Sequence, residues 1–413
     1  MCTMCYARYM FIVFFMGYMN FHFYVTIMPN MLQKIVFWGF PLIYVLFRYK
    51  DVLHIWKNIC NKQYILYGLF MLILAFVWSF FVVVINDSSD WSYFHILETV
   101  IHYILMSMAF YLLLSDYNKR NTFYMYCVTY IATIFLCVIC TLFFLENFNL
   151  RFAWQSMIIA SDYQVGAYDM AQNITRFSFP GMMAFGETIK CSIGVVYSCI
   201  LLSRGYLIGF LGLFLSVIGN LFYGRIGIAL SLICVIILLS EKISIKFVTA
   251  ICLTLLLLIF ILSRIESPEL MYWLEWLYNP VESFFYGLSI GQFSLGSSGD
   301  ILVERMYFMP EDITFVCGDG QYTDVNGGYY MATDAGYMRI VLFGGLPLAF
   351  LVYGAFLLLS FAAYKNLGKN NKFMQKVVLV LVIMLFISEY KGDAYFIFFG
   401  AITLLNIISC KER

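Results

Sequence analysis

The sequence predicts an all-α, polytopic integral membrane protein of about twelve transmembrane helices. Three observations carry that expectation. The 413 residues are 63% hydrophobic and only 12% charged, whereas a soluble domain keeps about a quarter of its residues charged. Apolar runs recur along the whole length, each near the ~20 residues a helix needs to cross the hydrocarbon core. Lysine and arginine gather in alternate connections between those runs, as the positive-inside rule requires. In lipid a backbone must satisfy its own hydrogen bonds, and runs this long do so as helices rather than as barrel strands.

In chain order the runs fall near 10–28, 33–48, 65–85, 94–115, 123–145, 187–203, 206–222, 226–240, 246–263, 338–360, 374–389 and 393–409. The first reads as a retained span and not as a cleavable signal; the second, seventh and eighth are short. With a cytoplasmic N-terminus, the basic clusters Arg48, Lys50, Lys57, Lys62 and Lys365, Lys369, Lys372, Lys376 lie inside. Only Lys34, Arg225 and Lys391 then occupy short outer loops. Both termini are expected in the cytoplasm, and two long loops, 146–186 and 264–337, outside. With no internal repeat and no low-complexity linker, 1–413 reads as one transmembrane domain.

Several chemistries find little support. A net charge of +1 gives no reason to expect nucleic acid as a partner. The twelve cysteines lie mostly inside spans as ordinary packing. Cys2-x-x-Cys5 and Cys137-x-x-Cys140 each lack the second pair or nearby His that a zinc site needs. In the second loop, Gly318-Asp-Gly-Gln-Tyr-Thr-Asp-Val-Asn-Gly-Gly-Tyr-Tyr330 superficially resembles a calcium loop. Its acidic spacing does not fit an EF-hand, and no Glu closes it. Its tyrosines read as faces for sugar rings or as interfacial aromatics. Earlier in that loop Leu270, Trp273, Trp276 and Leu277 share a face at helical spacing, which suits an interfacial helix or one packed over the bundle.

Loops of this length are uncommon unless they work, and the candidate site residues other than Arg225 and its flanking glycines lie in or beside them. Arg176 stands late in the first loop, in Arg176-Phe-Ser-Phe-Pro-Gly181. Arg225 stands between two apolar runs, flanked by Gly224 and Gly227. Arg305 is in the second loop, and Arg339 lies just inside the following span. A guanidinium at the membrane edge is costly, so each is a functional candidate beside the plain reading of a side chain snorkelling to headgroups. Its planar fork matches phosphate oxygens. Asp334, about a turn before the next span, is placed to orient or deprotonate an incoming hydroxyl, or to cap the helix.

On these motifs the chain resembles the O-antigen polymerase (Wzy) family within the wider polymerase and O-antigen ligase superfamily. Arg176 with Gly181 and Phe185-Gly186, Gly224-Arg225-x-Gly227, and Asp334-x-Gly336-Tyr337 followed by Gly344-Gly345 look like that family's short elements. The resemblance implies a C-type glycosyltransferase-like fold in the inner membrane of a bacterium, with periplasmic long loops. It also implies a metal-independent, cofactor-free reaction on undecaprenyl-diphosphate-linked glycans as donor and acceptor.

Under that resemblance Asp334, Arg225 and Arg176 are the catalytic candidates. Arg305, Arg339, Tyr337, Gly224 and Gly227 are the substrate-binding ones. Membrane lipid, a chain-length regulator and a flippase are the implied partners. Ligases usually carry His where this chain has Asp334, and the four histidines, His22, His54, His95 and His102, lie outside both long loops. That departure favours polymerase over ligase. A flippase, the third reading, would be expected to show two related halves with polar groups at the membrane midplane.

Overall fold

The computed structural model describes residues 3–21, 24–25, 28–59, 61–119, 121–159, 179, 184–239, 297–325, 327–367 and 371–409, with isolated positions between 249 and 289. The described residues are overwhelmingly helical. In chain order they form α1 (Thr3–Asn20), α2 (Asn30–Lys34), α3 (Phe40–Phe47), α4 (Tyr49–Asn58), α5 (Lys62–Ile85), α6 (Ser92–Ser115), α7 (Thr122–Glu146) and α8 (Phe148–Met157). Then come α9 (Ala184–Ser203), α10 (Ile208–Tyr223), α11 (Arg225–Leu239), α12 (Ser297–Ile301), α13 (Asp312–Cys317), α14 (Gly336–Asn366), α15 (Lys372–Glu389) and α16 (Tyr395–Ile408).

Five of these helices are long and apolar enough to cross a membrane: α5, α6, α14, the Thr122–Phe144 part of α7 and the Phe185–Ser203 part of α9. A sixth is added if the bent pair Met31–Phe47 and Tyr49–Asn58 forms one span. The chain is therefore a helical membrane protein with five or six such helices among the described residues. The helices α10, α16 and most of α11 are apolar but shorter, and the run at 246–263 lies outside the described residues except for 249 and 253.

Two expectations need correction in detail. The first apolar run does not continue to 28: α1 stops at Asn20, and Tyr24–Val25 pairs antiparallel with Ile158–Ile159 in a small two-stranded sheet. The second run is not a plain span, because a wide π turn at Ile35–Gly39 precedes α3 and the chain bends by 71° into α4. Within the first long loop, α8 occupies part of the chain. The second holds α12, a π turn at Leu302–Met306 and α13.

The chain divides into two compact units. The first comprises 1–58, 104–266 and 372–380; the second comprises 59–103, 267–371 and 381–413. In the first, α9 packs against α7, α10 and α11 through small residues that bring backbones close. A Cβ at Gly212 would strike Ser198 and Ile131, and one at Gly219 would meet Cys191. In the second, α5 runs along α14, where Gly68 lies against Leu359 and Ala355. Polar clips fix the same unit: Asn61 donates to Asn366 Oδ1 at 2.8 Å, and Asn406 to the Leu359 carbonyl at 3.0 Å.

Candidate functional site

The site in the second unit is built on a break in α14. Gly345 takes a left-handed backbone (φ 69°) inside the helix, and Pro347 follows. Proline has no N–H to offer the carbonyl four residues back, which here is Phe343. That carbonyl instead accepts the backbone N–H of Gly320 at 3.0 Å, and the Leu342 carbonyl accepts that of Asp319 at 2.7 Å. The indole of Trp78 donates to the Gly344 carbonyl at 2.7 Å. The segment after α13 thus completes the hydrogen bonding that the helix abandons, as buried backbone demands. Asn86 and Ser88 hold it by donating to the Gly318 and Gly320 carbonyls at 3.1 and 2.6 Å.

One turn into α14, Arg339 is only 9% exposed. Its guanidinium lies 3.7 Å from the ring centre of Tyr322 and 4.2 Å from that of Tyr329. The aromatic faces that the sequence offered to sugars are therefore occupied, in these two cases, by a cation. The Tyr322 hydroxyl donates to Asp393 Oδ2. Burial pushes the Asp393 carboxyl above the usual carboxylate range, and Arg339 and the Tyr322 hydroxyl partly hold it back.

Behind this group Glu389 is fully buried. It accepts from the Tyr353 hydroxyl at 2.8 Å and the Ala394 N–H at 2.9 Å. A Cβ at Gly336 would meet Glu389 and the Gly392 carbonyl, so the glycine of Asp334-x-Gly336-Tyr337 makes room for this acidic turn. The hydroxyls of Tyr93 and Tyr395 share a hydrogen bond of 3.0 Å beside it.

Asp90 ties the loops together from the other side. Its Oδ2 accepts the backbone N–H groups of Tyr322 and Thr323, both at 2.6 Å, and the Thr323 hydroxyl at 2.9 Å; its Oδ1 accepts Ser92 N–H at 2.8 Å. Burial works against the Asp90 charge, yet these donors prevail and hold its pKa below the ordinary value.

The start of α14 carries the other candidates. Met331 and Ala332 take left-handed backbone (φ 55° and 53°), a strain of about 1 kcal/mol each. The turn sets the Thr333 hydroxyl against the Met306 carbonyl at 2.9 Å. Asp334 follows, partly buried. It is not the helix cap: that position falls on Ala335, whose N–H reaches Thr333 Oγ1 at 3.3 Å. Asp334 lies near Tyr307, whose phenol pKa is raised by burial first and then by acidic neighbours including Asp334. Tyr337 donates its hydroxyl to the Phe386 carbonyl at 2.6 Å. Arg305 is exposed on a π turn whose Leu302 and Met306 pack against Ala335 and Met338.

The remaining candidates belong to the first unit. Gly227 is a packing residue: a Cβ there would collide with the Thr188 hydroxyl and the Asn220 amide. Thr188 donates to Asn220 Oδ1 at 2.8 Å and to the Gly224 carbonyl at 3.0 Å. Arg225, half-buried, opens α11, the helix end at which a cation is least favoured by the backbone dipole. Arg176 lies outside the described residues.

Sequence reasoning brought Asp334, Tyr337 and Arg339 together because they are neighbours in the chain. It missed Glu389, Asp393, Tyr322 and Asp90. For the first two a signal existed: Glu389-Tyr-Lys-Gly-Asp393 puts two carboxylates in one short turn between apolar runs, where ionisable groups are expensive. No group of three His, Cys, Asp or Glu side chains is arranged to hold an ion among the described residues.

These helices and this polar cluster define the class, a helical membrane protein with buried charge at the loop-bearing end of one bundle. No family model matches the chain, and no curated protein matches its sequence.

Proposed function

We propose that the chain is a membrane glycosyltransferase, a polymerase that joins lipid-diphosphate-linked oligosaccharide repeat units into a surface polysaccharide at the periplasmic face of a bacterial inner membrane. The observation that carries this reading is the convergence of the connections 86–91, 307–335 and 390–394, all outer by the charge rule, on one polar end of the second unit. That end holds the buried Arg339 together with the carboxylates of Asp90, Asp334, Glu389 and Asp393. Polar chemistry gathered at a membrane surface suits a substrate with a lipid tail and a hydrophilic head.

In the proposed reaction a hydroxyl of the acceptor glycan attacks the anomeric carbon of the donor. The new glycosidic C–O bond forms as the bond from that carbon to diphosphate breaks, and lipid diphosphate leaves with the electron pair. Asp334 orients the hydroxyl and takes its proton. Arg305, exposed beside the segment that leads to Asp334, meets the developing diphosphate charge, which positioned donors stabilise best. Arg225 and Arg176 enter as diphosphate clamps on the sequence pattern alone, and Arg339 enters by fixing the loop around Tyr322.

The test is a glycan profile of a strain lacking the gene, with lipid-linked intermediates extracted alongside. A single repeat unit without a ladder supports a polymerase. Long chains stranded on the carrier identify a ligase, and intermediates held on the inner leaflet a flippase.

A further inference from the structure

The second unit contains a cavity of about 450 Å³, lined in part by Asp87, Ser89, Trp91, His95, Gln321 and Asp324. That volume lies within the range of small-ligand sites. The lining mixes one large aromatic with short hydroxyl, amide and carboxylate groups, the inventory that recognises a ring with a hydroxylated edge and a C–H face.

Trp91 is 46% exposed, and its ring is braced by Phe80 and Phe94 at centre distances of 6.1 and 5.1 Å. It is a braced aromatic surface with nearly half its area uncovered by the protein. The wall is held as well, because Asp90 and Ser88 tie the loop before α6 to the 320–323 segment by the hydrogen bonds given above.

The charge is decisive about class. Asp87, Asp90 and Asp324 line the cavity, and no Lys or Arg does so among the described residues. The three negative charges disfavour a diphosphate or a uronic acid; Asp90 is filled by its four protein donors, which leaves Asp87 and Asp324 to accept hydroxyl or ammonium donors. Arg339 is not among the lining residues; its guanidinium stacks on Tyr322 and Tyr329. We infer that this cavity is a saccharide subsite for a neutral or 2-amino sugar ring of the glycan, with Trp91 as its stacking surface. The inference rests on the glycosyltransferase reading for the source of the sugar, and it separates sugar recognition from diphosphate recognition within the site.

The test is saturation-transfer NMR on the full-length protein in detergent micelles. The probes are free neutral, 2-amino and uronic-acid hexose disaccharides, together with inorganic pyrophosphate as an anion competitor. The expected result is transfer to the ring protons of neutral or 2-amino disaccharides, kept in Trp91→Phe and weakened about tenfold in Trp91→Ala. Gln321 is exposed, so Gln321→Ala provides the same test without touching packing if Trp91→Ala fails to accumulate. Unchanged transfer in both Trp91→Ala and Gln321→Ala would overturn the subsite and leave the polymerase reading standing. Preference for the uronic acid, or loss of the neutral signal to pyrophosphate, would overturn the assigned sugar class. Absence of any disaccharide transfer in the wild type would also overturn the subsite, while the deletion-strain profile decides the polymerase reading independently.

Discussion

Arg339 stacks 3.7 Å above the ring centre of Tyr322, and the hydroxyl of that same tyrosine donates to Asp393. One phenol therefore bonds a cation by its face and an anion by its edge. The arrangement lets a guanidinium and a carboxylate share a buried region through an aromatic ring, and it pins the 318–330 loop to the start of α14.

Replacing Arg339 removes the charge that offsets Asp393. Arg339→Ala is expected to lower stability by about 3 kcal/mol, the usual cost of stranding one buried charge. Arg339→Lys keeps the charge but loses planar stacking, and should cost about 1 kcal/mol. Thermal unfolding in detergent measures both, and equal values for the two would contradict the stacking role.

The break in α14 makes a second, geometric prediction. Gly345→Ala places a Cβ against the Val316 carbonyl in a left-handed backbone, so it should destabilise by at least about 1 kcal/mol. Pro347→Ala restores an N–H that can compete with Gly320 for the Phe343 carbonyl. Limited proteolysis should then cut 318–330 faster in Pro347→Ala than in wild type; an unchanged cleavage rate would show that Gly320 does not replace a missing helical bond.

Asp90 predicts a pH dependence. Its native pKa is depressed, so its contribution to stability is full above the unfolded value near ~3.9 and is lost as pH falls through the lower native value. Asp90→Asn should therefore cost about 1 kcal/mol at pH 7, a low figure because solvent screens a half-buried carboxylate. The gap from wild type should close at the acid end of that window. A constant difference between pH 7 and pH 2 would remove ionisation from the account.

The catalytic candidates are separated by function. Arg225→Ala is expected to abolish long-chain glycan, by about 10²–10³ in rate, while the protein still accumulates in the membrane. Wild-type chain lengths in that variant would refute its diphosphate role. For Asp334, full activity in Asp334→Asn with loss in Asp334→Ala would leave hydroxyl orientation and exclude proton acceptance.

Much of the fold was legible in the chain itself. The positions of α5, α6, α7 and α14 follow from apolar runs, since in hydrocarbon a backbone has no partner but itself. The glycines Gly336, Gly344 and Gly345 stood out as a pattern, and Asp334 with Arg339 as polar residues at a span edge. Helix ends were less legible: α1 stops at Asn20 although the sequence stays apolar beyond it, because the strand pairing of Tyr24–Val25 with Ile158–Ile159 is made through space.

The sequence alone thus determined that helices form and which connections are polar, because both depend on local composition and the solvent each segment meets. Only the tertiary structure decided that Gly320 serves the carbonyl left by Pro347, that Tyr322 and Tyr329 cover Arg339 and not a sugar, and that Asp90 joins the group. Asp90 and Thr323 are 233 positions apart, and no periodicity or spacing encodes which distant donor a carboxylate meets. That choice belongs to packing, where most buried polar atoms find their partners in space.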